Sequence, residues 1–189
     1  DSSTSRGLGD VYKRQVEDTS TYSPCLPYYN TGYCRVAGGK QRSEGWEMEV
    51  AGEILPGWQM MAGYTNTRTK YLKDTAANTG QPLRSIDPRH QLRVFTSYRL
   101  GGDTQGWTIG GGAQMQSDSY VRTGNVTSRQ GGYAVYNAML GYRFDKTYSI
   151  QLNVNNVFDK VYYKKFAPTG IGYYYGDPRN VMVSLRASF

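Results

Sequence analysis

From Gln41 onward, apolar and polar positions alternate with a period of two, which predicts strands rather than helices. Trp46, Met48, Val50, Gly52 and Ile54 share one face, and Glu47, Glu49, Ala51 and Glu53 share the other. Leu55-Pro56-Gly57-Trp58 predicts a tight turn, with Pro and Gly in turn-favoured places. The chain then returns over 59–71, with Trp58, Met60, Ala62 and Tyr64 opposing Gln59, Met61, Gly63 and Thr65. Further strands are predicted over 88–100, 107–121, 133–144, 149–163 and 178–189, about seven in all with no credible helix, the pattern of an antiparallel all-β architecture.

The connections sort by length. Short turns fall at Pro56-Gly57, 101–103 and 145–147, and polar loops at 73–87, 122–132 and 164–177. Strict alternation of short and long connections is the habit of outer-membrane barrels, with short periplasmic turns and longer extracellular loops. The polar faces hold Glu47, Glu49, Glu53, Arg93, Arg99, Arg143 and Arg186, which suits a water-filled or plugged lumen rather than a packed core. Aromatic residues gather at strand ends, as at Trp58, Trp107, Tyr142 and Phe144, where a membrane-interface girdle is expected.

Composition agrees with one polar and one apolar face. Only 38% of residues are hydrophobic, while Tyr contributes 18 and Gly 23. No run approaches the ~20 apolar residues of a membrane helix, but a barrel strand meets lipid only at alternate positions. The net charge of +7 comes from scattered Lys and Arg without the basic patch that nucleic-acid binding requires. His90, the one histidine, has Asp87 nearby but no nucleophile, so no enzymatic site is read. Residues 1–15 (DSSTSRGLGDVYKRQ) have no signal-peptide core and no strand pattern, and are expected to be a non-native leader. Residues 16–40 are read as an outer loop in which Cys25 and Cys34 form a disulfide, since no His or further Cys offers a zinc site. Residues 41–189 are read as the barrel segment.

Three stretches carry a family resemblance. Asn180-Val-Met-Val-Ser-Leu-Arg-Ala-Ser-Phe189, with alternate apolar Val181, Val183, Leu185 and Ala187 and a terminal Phe189, resembles the signal read by the outer-membrane barrel-assembly machinery. Asn153-Val-Asn-Asn-Val-Phe-Asp-Lys-Val-Tyr-Tyr163 and Tyr175-Gly-Asp-Pro-Arg-Asn-Val181 resemble the last strands of TonB-dependent receptors. The hairpin from Gly45 to Thr65 is similar to one in the siderophore-receptor branch. The resemblance implies a transmembrane barrel of about 22 strands, of which this chain supplies roughly the last seven, filled by an N-terminal plug. It implies a bacterial outer-membrane protein that binds a ferric siderophore as cargo, holds no cofactor or metal of its own, and imports the cargo with the TonB energy-transducing complex. The segment looks nearest to receptors for hydroxamate-type siderophores, including the pyoverdine group. A plugless porin or a barrel enzyme is the alternative.

Within that reading the outward loops supply the ligand contacts. Tyr28, Tyr29, Tyr33 and Arg35 lie in or beside the Cys25–Cys34 loop, and Tyr120, Arg122, Tyr173, Tyr174 and Tyr175 lie near the other loop bases. Aromatic rings pack against an organic shell, and Arg meets a negatively charged ferric complex.

Overall fold

Outer and inner faces separate cleanly in the strand register of the computed structural model, which describes residues 6–24, 33–83, 87–123, 126–166 and 172–188. Its strands are β1 (Arg6–Pro24), β2 (Tyr33–Leu55), β3 (Trp58–Lys73), β4 (His90–Arg99), β5 (Trp107–Gln116), β6 (Ser119–Thr123), β7 (Val126–Gln130), β8 (Tyr133–Arg143), β9 (Tyr148–Asn155), β10 (Tyr163–Phe166), β11 (Tyr173–Tyr175) and β12 (Asn180–Ala187). Eight of these form one sheet in the order β1-β2-β3-β4-β5-β8-β9-β12, and β6–β7 and β10–β11 are separate hairpins. Every pairing is antiparallel.

The register aligns like with like. Val50 pairs with Ala62, Ala62 with Val94, Val94 with Ala113 and Ala113 with Tyr136. Farther on, Leu140 pairs with Leu152 and Leu152 with Val183. Between the Trp107 and Met115 rows this face carries no charged side chain among the described residues. The other face holds Glu47, Glu49, Glu53, Arg93, Arg99, Arg143 and Arg186 among Gln, Ser, Thr and Gly. One side therefore suits lipid and the other water, as in a barrel wall. From Trp107 to Met115 the apolar band spans eight residue steps. At ~3.3 Å per step and a tilt near 40° this rises about 20 Å, close to the apolar height of an outer-membrane barrel.

Short connections close one end of the sheet. Pro56-Gly57 turns the chain with Gly57 at φ 80°, and the Gly57 N–H donates to Glu53 Oε1 at 2.6 Å. Asp145 Oδ1 accepts N–H bonds from Thr147 and Tyr148, each 2.7 Å, which fixes the β8–β9 turn as an Asx-type turn. A 3-10 turn at Gly102–Thr104 joins β4 to β5. The longer connections, including both separate hairpins, lie at the opposite end.

Several sequence expectations need correction. Residues 6–15, read as lacking strand character, form the first half of β1 and pair in register with 42–51. The stretch 16–40, read as a loop, is strand up to Pro24 and again from Tyr33. Residues 6–11 lie level with Trp46, Met48 and Val50 but place Gly7 and Gly9 at the outward positions, so no apolar alternation marks them. Higher up, β1 and β2 rise beyond the apolar band, where both faces meet water and alternation no longer marks a strand. The Cys25–Cys34 pairing lies outside the described residues. The span 107–121 is broken at Ser117-Asp118, where Ser117 exchanges bonds with His90: its N–H donates to the His90 carbonyl at 2.9 Å and its Oγ accepts from the His90 N–H at 3.1 Å. The span 149–163 stops at Asn155, because Asn156 turns into the left-handed region (φ 51°).

Asn156 is one of the few buried polar residues. Its Nδ2 donates to the carbonyls of Lys160 (2.9 Å) and Asp177 (3.1 Å), and its Oδ1 accepts from the Lys160 N–H (2.8 Å). Its own N–H donates to Asn137 Oδ1 (2.9 Å). Asn tolerates positive φ better than other non-Gly residues, so this residue ends β9 and ties down the last long connection.

Candidate functional site

The loop end of the sheet brings two hairpins together. The β6–β7 hairpin leaves β5 and returns to β8, and β10–β11 rises between β9 and β12. Ser128 on β7 and Tyr173 on β11 face each other with their hydroxyls 2.5 Å apart. The Tyr163 N–H donates to Gln130 Oε1 at 3.0 Å, a second link between the hairpins.

Aromatic rings fill the junction. Tyr163 lies 4.8 Å from Tyr175 and 5.3 Å from Tyr173, centroid to centroid. The Tyr163 and Tyr175 hydroxyls are 3.4 Å apart. Tyr133, at the start of β8, stacks against Tyr162 at 4.4 Å. These separations are those of attractive aromatic pairs. The hydrogen bond to Tyr175, reinforced by repulsion between the two phenolates, raises the Tyr163 phenol above its ordinary value. Tyr174 and Tyr175 are 60% and 62% exposed, so the cluster presents open ring surface to an incoming ligand.

The expected contact residues divide into three groups. Tyr173, Tyr174 and Tyr175 stand in the cluster just described. Tyr120 stands apart, in a notch of ≈ 300 Å³ lined also by Arg68, Lys70, Asp87, Arg89 and Asp118. There Arg129, across the β6–β7 hairpin, holds Asp118 at 2.6 Å. Tyr28 and Tyr29 lie outside the described residues. Tyr33 and Arg35 are placed on β2 and Arg122 on β6 by backbone alone. Phe189 also lies outside the described residues, while Val181, Val183, Leu185 and Ala187 line the outward face of β12 in register with β9.

The sequence reading missed Ser128, Tyr133, Tyr162 and Tyr163 as partners in this cluster. Tyr162 and Tyr163 sat in a span assigned to a strand, although their adjacency to the later Tyr173–Tyr175 run was visible as tyrosine density. A second concavity lies on the inner face, ≈ 740 Å³, lined among others by Asp10, Glu47, Glu49, Met61, Arg93 and Phe95. Its mixture of carboxylates, one guanidinium and several apolar side chains fits a surface that packs against protein rather than lipid.

Comparison with known proteins agrees with this architecture. The sequence profile described as "TonB dependent receptor-like, beta-barrel" matches residues 3–157. The ferric-pyoverdine M114 receptor PbuA of Pseudomonas sp. (strain M114) is 44% identical over 159 residues, covering 82% of this chain and 19% of the relative. The ferripyoverdine receptor of Pseudomonas aeruginosa PAO1 is 40% identical over 189 residues, covering 94% of this chain and 22% of the relative. In solved structures, P. aeruginosa FpvA bound to a heterologous pyoverdine superposes with a TM-score of 0.83 at 30% identity, covering 98% of this chain and 25% of that one. The ferric-catecholate receptor Fiu of Escherichia coli K12 superposes with a TM-score of 0.82 at 27% identity. The chain spans about a fifth of the length of the curated relatives it matches. An apolar outward face, a polar inward face, sorted connections and this likeness lead to one conclusion: the chain belongs to the TonB-dependent receptor β-barrel family of the bacterial outer membrane.

Proposed function

We propose that the complete protein binds a ferric siderophore of the pyoverdine type at its outer end and imports it in a TonB-dependent step. The observation that carries this reading is the tyrosine cluster at the junction of β6–β7 and β10–β11, beside relatives named for ferric pyoverdines. Tyr173, Tyr174 and Tyr175 supply ring surface for the organic shell of the ligand at small ordering cost, because the hydroxyl links already hold the hairpins together. Tyr120 and Arg122, Tyr28 and Tyr29 in the β1–β2 connection, and Tyr33 and Arg35 at the start of β2 are the further proposed contacts. Arginine complements the negative charge of the ferric complex. A Cys25–Cys34 disulfide would restrain that connection.

The inner concavity around Glu47, Glu49 and Arg93 is the proposed seat of an N-terminal plug, and energy reaches the plug from the TonB complex. The outward face of β12, ending at Phe189, is the proposed element read by the barrel-assembly machinery. Relatives that are receptors favour import over a plugless porin or a barrel enzyme. The direct test is a titration of the purified full-length receptor with ferric pyoverdine, read by quenching of protein fluorescence. Saturable binding that weakens at least about tenfold in Y173A/Y175A supports the reading, taking each lost aromatic contact as roughly 1 kcal/mol. Binding of ferric pyoverdine no tighter than that of an unrelated iron chelate contradicts it.

A further inference from the structure

Tyr162 and Tyr163 are neighbours in the chain whose rings serve different surfaces. Successive side chains of an extended segment point to opposite faces. Tyr163 turns to Tyr173 and Tyr175, at 5.3 and 4.8 Å between ring centroids, while Tyr162 turns to Tyr133, at 4.4 Å. Tyr133 is the first residue of β8 and pairs with Gln116 of β5, so it belongs to the eight-stranded wall. The same Tyr162 ring meets the Gly176 backbone, and a Cβ on Gly176 would collide with it. Gly176 does not adopt positive φ, so glycine is needed here for close approach rather than for a turn. The Gly176 N–H donates to the Tyr162 carbonyl at 2.8 Å, which keeps ring and glycine in register. Among the described residues neither the Tyr162 nor the Tyr133 hydroxyl has a hydrogen-bond partner, so it is ring surface that makes this contact.

The other supports of β10–β11 act differently. Ser128 to Tyr173 and Gln130 to Tyr163 join it to β6–β7, and neither hairpin is hydrogen-bonded into the wall. Asn156 grips Lys160 and Asp177 at the foot of the hairpin. A grip at the foot leaves the hairpin free to lean, and links between two such hairpins let them lean together. The contact of Tyr162 with Tyr133 and Gly176 lies just above that foot and ties the hairpin to a strand of the wall, which removes the freedom to lean.

We propose that Tyr162 is a positioning residue for the ligand face: with Tyr133 and Gly176 it sets the lean of β10–β11 against the wall, so that Tyr173, Tyr174 and Tyr175 stand in place before the ferric siderophore arrives. The inference rests on the ligand site proposed above. A ring face that is already set loses less freedom on binding. Tyr162 therefore tightens binding without touching the ligand, and it does so through its ring rather than its hydroxyl.

The test uses the full-length receptor and its Y162F, Y162L, Y133L and Y173A/Y175A variants, each shown to be folded by heat-modifiable electrophoretic migration. Two quantities are read: amide hydrogen exchange of β10–β11 without ligand, and the dissociation constant for ferric pyoverdine from fluorescence quenching. Y162L is expected to raise the exchange about fivefold and to weaken binding by a similar factor, as loss of one aromatic pair does. Y162F keeps the ring and holds both within about twofold of the unmodified receptor. Y133L, which leaves Tyr162 in place, matches Y162L, and Y133L/Y162L is little worse than either because both remove the same contact. The added exchange disappears at saturating ferric pyoverdine, which a general loss of stability would not produce. Unchanged exchange in folded Y162L and Y133L overturns the proposal whether or not ferric pyoverdine binds. Unweakened binding in Y162L, with Y173A/Y175A still weakened, overturns it and leaves the ligand site standing. Unweakened binding in both overturns the ligand site and this proposal together.

Discussion

Ser128 Oγ and Tyr173 OH, 2.5 Å apart, join two hairpins that are distant in sequence and separate in the sheet. Neither hairpin is hydrogen-bonded into the eight-stranded wall, so side-chain links of this kind determine whether they move together. Removing the link should loosen β10–β11 without disturbing the wall. Ser128→Ala and Tyr173→Phe in the full-length receptor are each expected to raise amide hydrogen exchange in β10–β11 by about fivefold, the equivalent of roughly 1 kcal/mol for one hydrogen bond. The double variant should be little worse than either single one, because both remove the same bond. Additive effects would mean that the two hydroxyls act separately.

The junction should also respond to alkaline pH. Tyr163 is shifted upward by its hydrogen bond and repulsion with Tyr175. A group raised in the folded state contributes stability that is full below its unfolded value, near 10, and is lost as pH rises through its folded value. Exchange in β10–β11 should therefore be flat from neutral pH up to about 10 after correction for intrinsic rates, and should climb above it. Tyr163→Phe abolishes that climb. Ultraviolet titration of phenolate in the receptor checks the same shift.

Asn156 is expected to be costly to replace. Ala at this position removes three side-chain hydrogen bonds, leaves the carbonyls of Lys160 and Asp177 and the N–H of Lys160 without that partner, and must still adopt φ 51°. A loss of about 3 kcal/mol is expected from unsatisfied buried groups and backbone strain combined. Denaturant unfolding of the refolded receptor should register it. Asn156→Asp keeps the acceptor for Lys160 but loses both donated bonds, and should fall between.

Gly112 tests the close approach of β4 and β5. A Cβ there would stand 2.7 Å from the Val94 carbonyl oxygen and 3.2 Å from the Phe95 ring. The backbone oxygen cannot step aside cheaply, so Gly112→Ala should lower stability by roughly 1–3 kcal/mol, as overpacking does. Gly63, whose nearest neighbour would be 4.0 Å away, is the matched position at which Ala should cost far less. The comparison is made on the same unfolding curves.

The wall was legible because lipid imposes a period of two on every strand that crosses it. Val50, Ala62, Val94 and Ala113, chosen as outward positions from alternation alone, fall in one registered row. The same signal fails where lipid is absent. Above the apolar band both faces of β1 and β2 meet water, so Glu17 and Lys40 read as loop although they belong to long paired strands. The β6–β7 and β10–β11 hairpins escaped for that reason too. Asn156 was hidden because its strand break rests on hydrogen bonds to Lys160 and Asp177, and the latter comes from the far side of a long connection. The ligand candidates were half legible: Tyr173, Tyr174 and Tyr175 stood out as a run, but their partners Ser128 and Tyr133 carry no local mark.

The most direct test of the central reading is energised uptake. Cells lacking other pyoverdine receptors and expressing the full-length protein are given ferric pyoverdine carrying radioactive iron, with and without a protonophore. The account predicts cell-associated iron that accumulates with time, stops on de-energisation while surface binding persists, and drops at least about tenfold in Y173A/Y175A in line with weaker binding. Accumulation that continues unchanged without energy would contradict it and identify the barrel as a passive pore.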